Sequence, residues 1–295
     1  MSSPRPGLEP ATRTARRDGQ YPPPPQPLRT PVLDSHCHLD IATTDAHLTV
    51  EQALAASTAA GVPRLVQIGC DLPSARWSVQ VAEQHHAIVA GVALHPNEAP
   101  RIAHEEGAAA LQAAYAEIER LAAHPRVRAV GETGLDFFRT PAAGRGVQEE
   151  SFRRHIALAK QYDKTLVIHD RDSHDAVLRV LHEEGAPSRV VFHCFSGDTE
   201  MARRCVDNGW VLSFAGTVTF KNADPLRQAL AATPLAQLLV ETDAPFLTPA
   251  PHRGQPNASY LIPLTVRAMA EVKGVDEDTL AAAISDVGQR MFGPL

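Results

Sequence analysis

No stretch of this chain is apolar for long enough to cross a membrane, and its 4 cysteines (Cys37, Cys70, Cys194, Cys205) form no Cys-x-x-Cys pair. The first absence removes membrane-spanning function classes. The second argues against a zinc ribbon and a disulfide framework, and fits a reducing, cytoplasmic setting. Positive charge is not in excess either. With a formal net charge of −6, nothing draws the whole molecule to a polyanion, so nucleic-acid binding would need a local basic rim. No glycine-rich phosphate turn follows the first apolar run, which weighs against a doubly wound dinucleotide-binding sheet. Nothing in the sequence calls for an obligate protein partner or a membrane surface. What is present is 295 residues, 44% of them hydrophobic, enough for a substantial core.

Residues 1 to about 30 contain little that could pack. Arg5, Arg13, Arg16 and Arg17 precede Tyr21-Pro22-Pro23-Pro24-Pro25-Gln26-Pro27, and this composition predicts a disordered, solvated leader. Arg16-Arg17 has the look of a twin-arginine export signal, but prolines follow where an apolar region is required. From residue 31 to 295 short apolar runs alternate with amphipathic stretches. Strands are expected near 32–36, 64–68, 88–94, 127–130, 166–168, 190–192, 211–214 and 238–240. Helices are expected between them, including one opened by a Thr49/Gln52 capping box, one begun by Pro73, and others over 105–123, 148–162 and 172–184. Eight such repeats predict an α/β fold, a TIM-type eight-stranded β/α barrel; a doubly wound sheet is the alternative.

In such a barrel the active site lies at the C-terminal ends of the strands. His36 and His38 alternate onto one face there, with Cys37 on the other. A lone His-x-His could equally be two half-exposed histidines near a turn. Reading on, however, Glu132 follows the fourth strand, His169 ends the fifth, His193 ends the sixth, and Asp243 follows the eighth. Mixed imidazole and carboxylate groups at so many strand ends predict a divalent-metal site of the zinc or manganese kind, with one carboxylate able to bridge two ions. Alternation turns Cys37 and Cys194 away from that face, so both are expected to pack rather than ligate.

The motifs Asp34-Ser35-His36-Cys37-His38, Val130-Gly131-Glu132-Thr133-Gly134-Leu135-Asp136, His193-Cys194-Phe195-Ser196-Gly197 and Glu241-Thr242-Asp243-Ala244-Pro245-Phe246-Leu247 resemble the signatures of TatD-type metal-dependent hydrolases. Ile168-His169-Asp170-Arg171 and Arg253-Gly254-Gln255-Pro256-Asn257 add to the match, which covers nearly everything after the leader. The resemblance implies an amidohydrolase-superfamily barrel that hydrolyses DNA phosphodiesters with two divalent metal ions (Zn, Mn or Mg). It implies His36, His38, Glu132 and Asp243 as the ligands of one ion, and Glu132, His169 and His193 as those of the other. The sequence departs from the family pattern in two places. Ala258 follows Asn257 where glutamate is common, and Val287-Gly288-Gln289 precedes Arg290-Met291-Phe292-Gly293 where an asparagine is common. Both bear on substrate preference and end-packing more than on metal binding.

Within this reading Asp243 is the proton acceptor for the attacking water. His95, in Leu94-His95-Pro96, is a candidate for phosphate contact or leaving-group assistance. Arg139, Arg171, Lys221 and Arg253 are candidates for the basic rim, and Phe137, Phe138 and Phe220 for stacking on splayed bases of a single-stranded or frayed DNA end. Two other functions stay open. One is an amidohydrolase-type enzyme acting on a small C–N or ester substrate; many such relatives carry a modified lysine where this chain has Glu132. The other is a non-catalytic metal-binding module.

Overall fold

The computed structural model describes residues 5–6, 19–43 and 47–294. Its body is one eight-stranded, all-parallel sheet in sequential order. The strands are β1 (Leu33–Cys37), β2 (Arg64–Gly69), β3 (Ile88–Val92), β4 (Val127–Asp136), β5 (Thr165–Arg171), β6 (Val190–Phe192), β7 (Val211–Phe214) and β8 (Leu238–Val240). Rows of Val, Ile and Leu such as Val66, Val89, Val130 and Leu166 are fully buried, as expected for parallel strands covered on both faces. Helices α1 (Val50–Ala59) and α2 (Leu72–Gln84) follow the first two strands, and α3 (Glu98–Glu105) and α4 (Ala108–Ala122) follow the third. They are succeeded by α5 (Arg145–Gln161), α6 (His174–Glu184), α7 (Thr199–Asp207), α8 (Asp224–Ala232), α9 (Ile262–Lys273) and α10 (Glu277–Phe292). This is the expected TIM-type barrel. No helix among the described residues is long and apolar enough to cross a membrane.

The first and last strands meet through side chains and through the segments just beyond them. Ser35 Oγ donates to the Val240 carbonyl at 2.9 Å, and the Asp34 carboxylate takes the Thr242 N–H at 2.9 Å. Past the end of β8, Asp243 N–H donates to His36 O at 2.9 Å and Ala244 O accepts from His38 N–H at 2.8 Å. The seam therefore holds His36, His38 and Asp243 beside one another.

Local chemistry explains where elements begin and stop. The Thr49/Gln52 capping box opens α1 as anticipated, and Asp71, Asp198 and Asp276 cap α2, α7 and α10 with their side chains. One expected helix, over 105–123, is two. Gly107 adopts φ 91°, outside the helical region, so α3 ends before it and α4 begins after it. β4 runs to Asp136 and β5 to Arg171, each past its expected end. Glu132 thus lies inside a strand rather than after it, His169 lies two residues short of a strand end rather than at it, and Arg171 closes that strand. The two strands approach closely: a Cβ on Gly134 would lie 2.1 Å from the His169 carbonyl oxygen, so only glycine fits there.

The expected disorder of the leader falls largely on residues outside those described, but its second half is described and packs. Leu28 is buried in the core cluster and its N–H donates to Ala60 O at 3.1 Å. Tyr260 Oη donates to Pro22 O, Arg267 reaches Gln26 O at 2.8 Å, and Arg29 pairs with Asp278. Polyproline leaves its carbonyls free, and here helix α9 and its approach supply donors to them. The expected boundary near residue 30 therefore cuts through a packed strap. Deletion of residues 1–30, compared with a chain starting at Gly19, should lower the melting temperature by several degrees. Leu28→Ala alone should cost about 3 kcal/mol. Thermal and urea unfolding check both, and an unchanged Tm would show the strap to be dispensable.

Candidate metal centre

Strand alternation and the seam bring all six expected donors together at the C-terminal mouth of the barrel. His36 Nε2 and His38 Nε2 are 3.2 Å apart; Asp243 Oδ1 lies 3.8 Å from the first and 3.4 Å from the second. Glu132 Oε1 faces the same pair, at 3.9 and 3.8 Å. The other oxygen, Oε2, turns to the opposite side, 2.8 Å from His193 Nε2 and 3.1 Å from His169 Nδ1. Those two nitrogens are 3.4 Å apart. The His36 and His193 rings stack at 3.9 Å and tie the two halves together.

These distances suit a cation. Donors placed tetrahedrally at zinc–nitrogen distance are about 3.3–3.4 Å from one another, close to the spacing in both halves. The tautomers point the same way. His38 Nδ1 faces the Ile68 carbonyl at 3.0 Å, His193 Nδ1 faces Glu241 Oε1 at 3.3 Å, and His169 Nε2 lies 3.4 Å from Asp136 Oδ2. Each outer nitrogen faces an oxygen that can take its proton, which leaves the inner nitrogen, the one facing the carboxylates, as the atom that would ligate a cation once the ring is neutral. Carboxylate oxygens and imidazole nitrogens crowded into one buried space call for positive charge, from protons or from a cation that displaces them.

The titration behaviour reflects that crowding. Burial pushes His36 well below the usual imidazole range, and the neighbouring His193 adds to this. Burial opposes protonation of His38 and His193 too, but there the carboxylates prevail. Asp243 and Glu132 hold His38 up at about 9, and Glu132 and Glu241 hold His193 well above normal. Burial likewise opposes ionisation of Glu132, yet His193 and His95 keep its carboxyl well below the usual range.

His95 joins the cluster as well, its Nε2 3.9 Å from Glu132 Oε2. Burial brings its pKa down to about 3, so the ring is neutral. Its Nδ1 accepts the Asn97 N–H at 3.1 Å, so Nε2 must carry the proton and act as a donor. Arg171 stacks on Phe138 at the end of β5, Arg139 is exposed in the turn after β4, and Arg253 stacks on Phe220 beside the exposed Lys221. The last pair sits on the loops after β7 and β8, which are joined by a hydrogen bond from Ala250 N–H to Thr219 Oγ1.

Three residues near the donors escaped sequence reading. Asp136 and Glu241 face the outer nitrogens of His169 and His193. Asp136 sits four residues from Glu132 on the same strand, so the alternation that picked out His36 and His38 could have found it. Glu241 lies past the end of β8, where alternation gives no signal. Cys70 Sγ donates to Glu132 Oε1 at 3.1 Å and carried no such signal. Cys37 packs as expected, its thiol donating to Val66 O at 3.6 Å. Cys194 does not simply turn away. β6 ends at Phe192, so alternation no longer applies; Cys194 takes φ 42°, its N–H caps Glu241, and burial together with the Asp243 and Glu241 charges raises its thiol pKa. At the two departures from the family pattern, Ala258 packs in a small cluster with Tyr260, Leu261 and Ala60, and Gln289 is exposed on α10.

Behind the donors, His155 of α5 joins the segment just after β3 to β4. Its Nε2 accepts the Leu94 N–H at 3.3 Å, and its Nδ1 lies 3.0 Å from Thr133 Oγ1. Burial lowers its pKa to about 4. In the unfolded chain the ring takes up a proton from about pH 6.5 downward, whereas the folded protein resists until about 4. Stability should therefore fall as pH drops through that window, by about 3 kcal/mol from this residue. Denaturant unfolding of the protein and of His155→Gln between pH 4 and 7 reads the difference; equal pH slopes would remove His155 as its source.

A β/α barrel that gathers buried His, Glu and Asp donors at its strand ends is the architecture of the metal-dependent hydrolases with the amidohydrolase fold. The family profile described as TatD related DNase matches residues 33–293, and the chain belongs to that family. It is 46% identical over 266 residues to the uncharacterized metal-dependent hydrolase TatD of Mycobacterium tuberculosis, covering 89% of this chain and 98% of that one. It is 35% identical over 262 residues to the uncharacterized metal-dependent hydrolase YabD of Bacillus subtilis, covering 88% and 98%. Among solved structures, the TatD homologue YjjV of Escherichia coli superposes with a TM-score of 0.80 at 27% identity, over 90% of this chain and 98% of that one. The protein is a metal-dependent hydrolase with a candidate His/Glu/Asp site.

Proposed function

We propose that the protein hydrolyses phosphodiester bonds of DNA, acting on single-stranded or frayed ends, with two divalent cations (Zn, Mn or Mg) in the centre. The observation that supports a two-cation centre is the split of Glu132, one oxygen toward His36 and His38 and the other toward His169 and His193; what favours a phosphodiester over other substrates is the arginines at the mouth. His36, His38, Glu132 and Asp243 would hold one cation, and Glu132, His169 and His193 the other. When bound, such a pair supplies Lewis acidity for the phosphate and lowers the pKa of water. The chain's own groups do the rest. Asp243 would accept the proton of the attacking water, a reading supported by its 17% exposure against 6% for the Glu132 side chain. His95, neutral and protonated on Nε2, offers a hydrogen bond to a phosphate oxygen or the leaving group. Arg139, Arg171, Lys221 and Arg253 would give an otherwise acidic molecule its basic rim.

A C–N or ester hydrolase would use the same centre, but a neutral small substrate has no need of arginines at the mouth. A metal panel separates the readings. Chelation should abolish cleavage of a single-stranded oligodeoxynucleotide, and added Zn, Mn or Mg should restore it, with little turnover of lactones or N-acyl amino acids. Turnover of those compounds without cleavage of DNA, RNA or a chromogenic phosphodiester would overturn the proposal.

A further inference from the structure

Among the described residues Phe138 is the large hydrophobic side chain left exposed, at 56%, and it lies two residues past Asp136, whose carboxylate is 3.4 Å from His169. Arg171 likewise follows His169 by two. Asp136 and Arg171 are register partners across β4 and β5, and the Phe137 N–H donates to Arg171 O at 2.9 Å. The same stretch of backbone that sets the Asp136–His169 pair therefore sets the Phe138–Arg171 pair. The Arg171 guanidinium lies 3.9 Å from the Phe138 ring centroid, covering one face and restraining the ring. Arg145 lies over Phe137 in the same way, at 4.2 Å.

The charge around this ring is also left uncompensated. Elsewhere several helix arginines are neutralised: Arg76 by Glu117 at 2.6 Å, Arg153 by Glu149 at 2.8 Å and also by Glu183 and Glu184, Arg179 by Glu149 at 2.7 Å. Among the described residues Arg139, Arg145 and Arg171 have no carboxylate partner. An exposed aromatic face set among uncompensated guanidinium groups, in a chain of net charge −6, suits a ligand that is both anionic and flat.

Resting on the phosphodiesterase reading above, we propose that Phe138, held by Arg171, is a stacking platform for an unpaired nucleobase next to the scissile phosphate. It would select single-stranded polynucleotide on the His169 side of the centre. A base inside a duplex already stacks on its neighbours and must leave them to reach the ring. Arg171 orders the ring before the base arrives, so little side-chain freedom is lost on binding. Because stacking uses a face that every base has, the platform favours nucleotides over other phosphodiesters without reading sequence.

The test compares a short single-stranded oligodeoxynucleotide with the same strand carrying tetrahydrofuran abasic units at its ends. The metal-loaded protein should cleave the base-bearing strand about tenfold more efficiently. Phe138→Ala and Phe138→Leu should abolish that preference while cleaving the abasic strand at the normal rate, and Phe138→Trp should keep it. Chelator-treated protein should quench a terminal 2-aminopurine on binding, and Phe138→Ala should not. A Phe138→Leu variant with the full preference, equal losses on both strands, or no quenching by the unsubstituted protein would each overturn the platform. If no phosphodiester of any kind is cleaved, the hydrolytic reading fails, while the quenching still reports on Phe138.

Discussion

Glu132→Gln should fold like the unsubstituted protein, lose most of its bound metal and drop in hydrolytic rate by orders of magnitude. The reason lies in the two directions its oxygens face. Oε1 stands with His36, His38 and Asp243, and Oε2 with His169 and His193, so one side chain serves both halves of the cluster. An amide keeps the volume but replaces one anionic donor by an NH2 group that cannot coordinate, and removes a charge that the surrounding imidazoles balance. Folding should survive, because the core is built from Val, Ile, Leu and Phe between strands and helices rather than from the mouth. Elemental analysis beside circular dichroism separates loss of the site from loss of the fold. A folded variant with two tightly held metals and near-native turnover would falsify the bridging role.

Asp243→Asn is expected to behave differently. Asp243 sits at φ 53°, a left-handed conformation that asparagine tolerates better than most residues, so the backbone should hold. His36, His38 and Glu132 would still face the same space, and metal content should fall less than in Glu132→Gln. The rate should nevertheless fall by about 10²–10⁴, because an amide cannot accept the proton of water. Paired measurements of metal content and kcat decide the matter. A metal loss equal to that of Glu132→Gln would reduce Asp243 to a ligand, and an unchanged kcat would remove its role with the proton.

The sequence displayed the barrel because each strand is a short apolar run and each connection an amphipathic one; β6, β7 and β8 start and stop where the pattern does. It was less informative where polar residues continue a strand. Gly131, Glu132, Thr133 and Gly134 read as a loop, yet β4 pairs on with β5 as far as Asp136, since those polar groups find partners inside the mouth. The donors themselves stood out because histidines and carboxylates at strand ends need no long-range knowledge to be noticed. Asp136 and Glu241 touch the outer nitrogens of histidines on neighbouring strands, and such contacts appear only once the barrel has set the strands side by side. The proline-rich strap was misjudged for a related reason. Its composition is that of an unfolded segment, and its order comes from Tyr260, Arg267 and Asp278, more than two hundred residues away.

The seam between β8 and β1 has a consequence of its own. These two strands are bridged by the Ser35 hydroxyl and the Asp34 carboxylate, and the backbone bonds between them come from the segment past the end of β8. A ring finished in this way has a join, and His36 and His38 stand on one side of it with Asp243 on the other. Any cation shared by those three side chains is also a rivet through the join. Filling the centre and fastening the barrel are then a single equilibrium, and each strengthens the other by the same free energy.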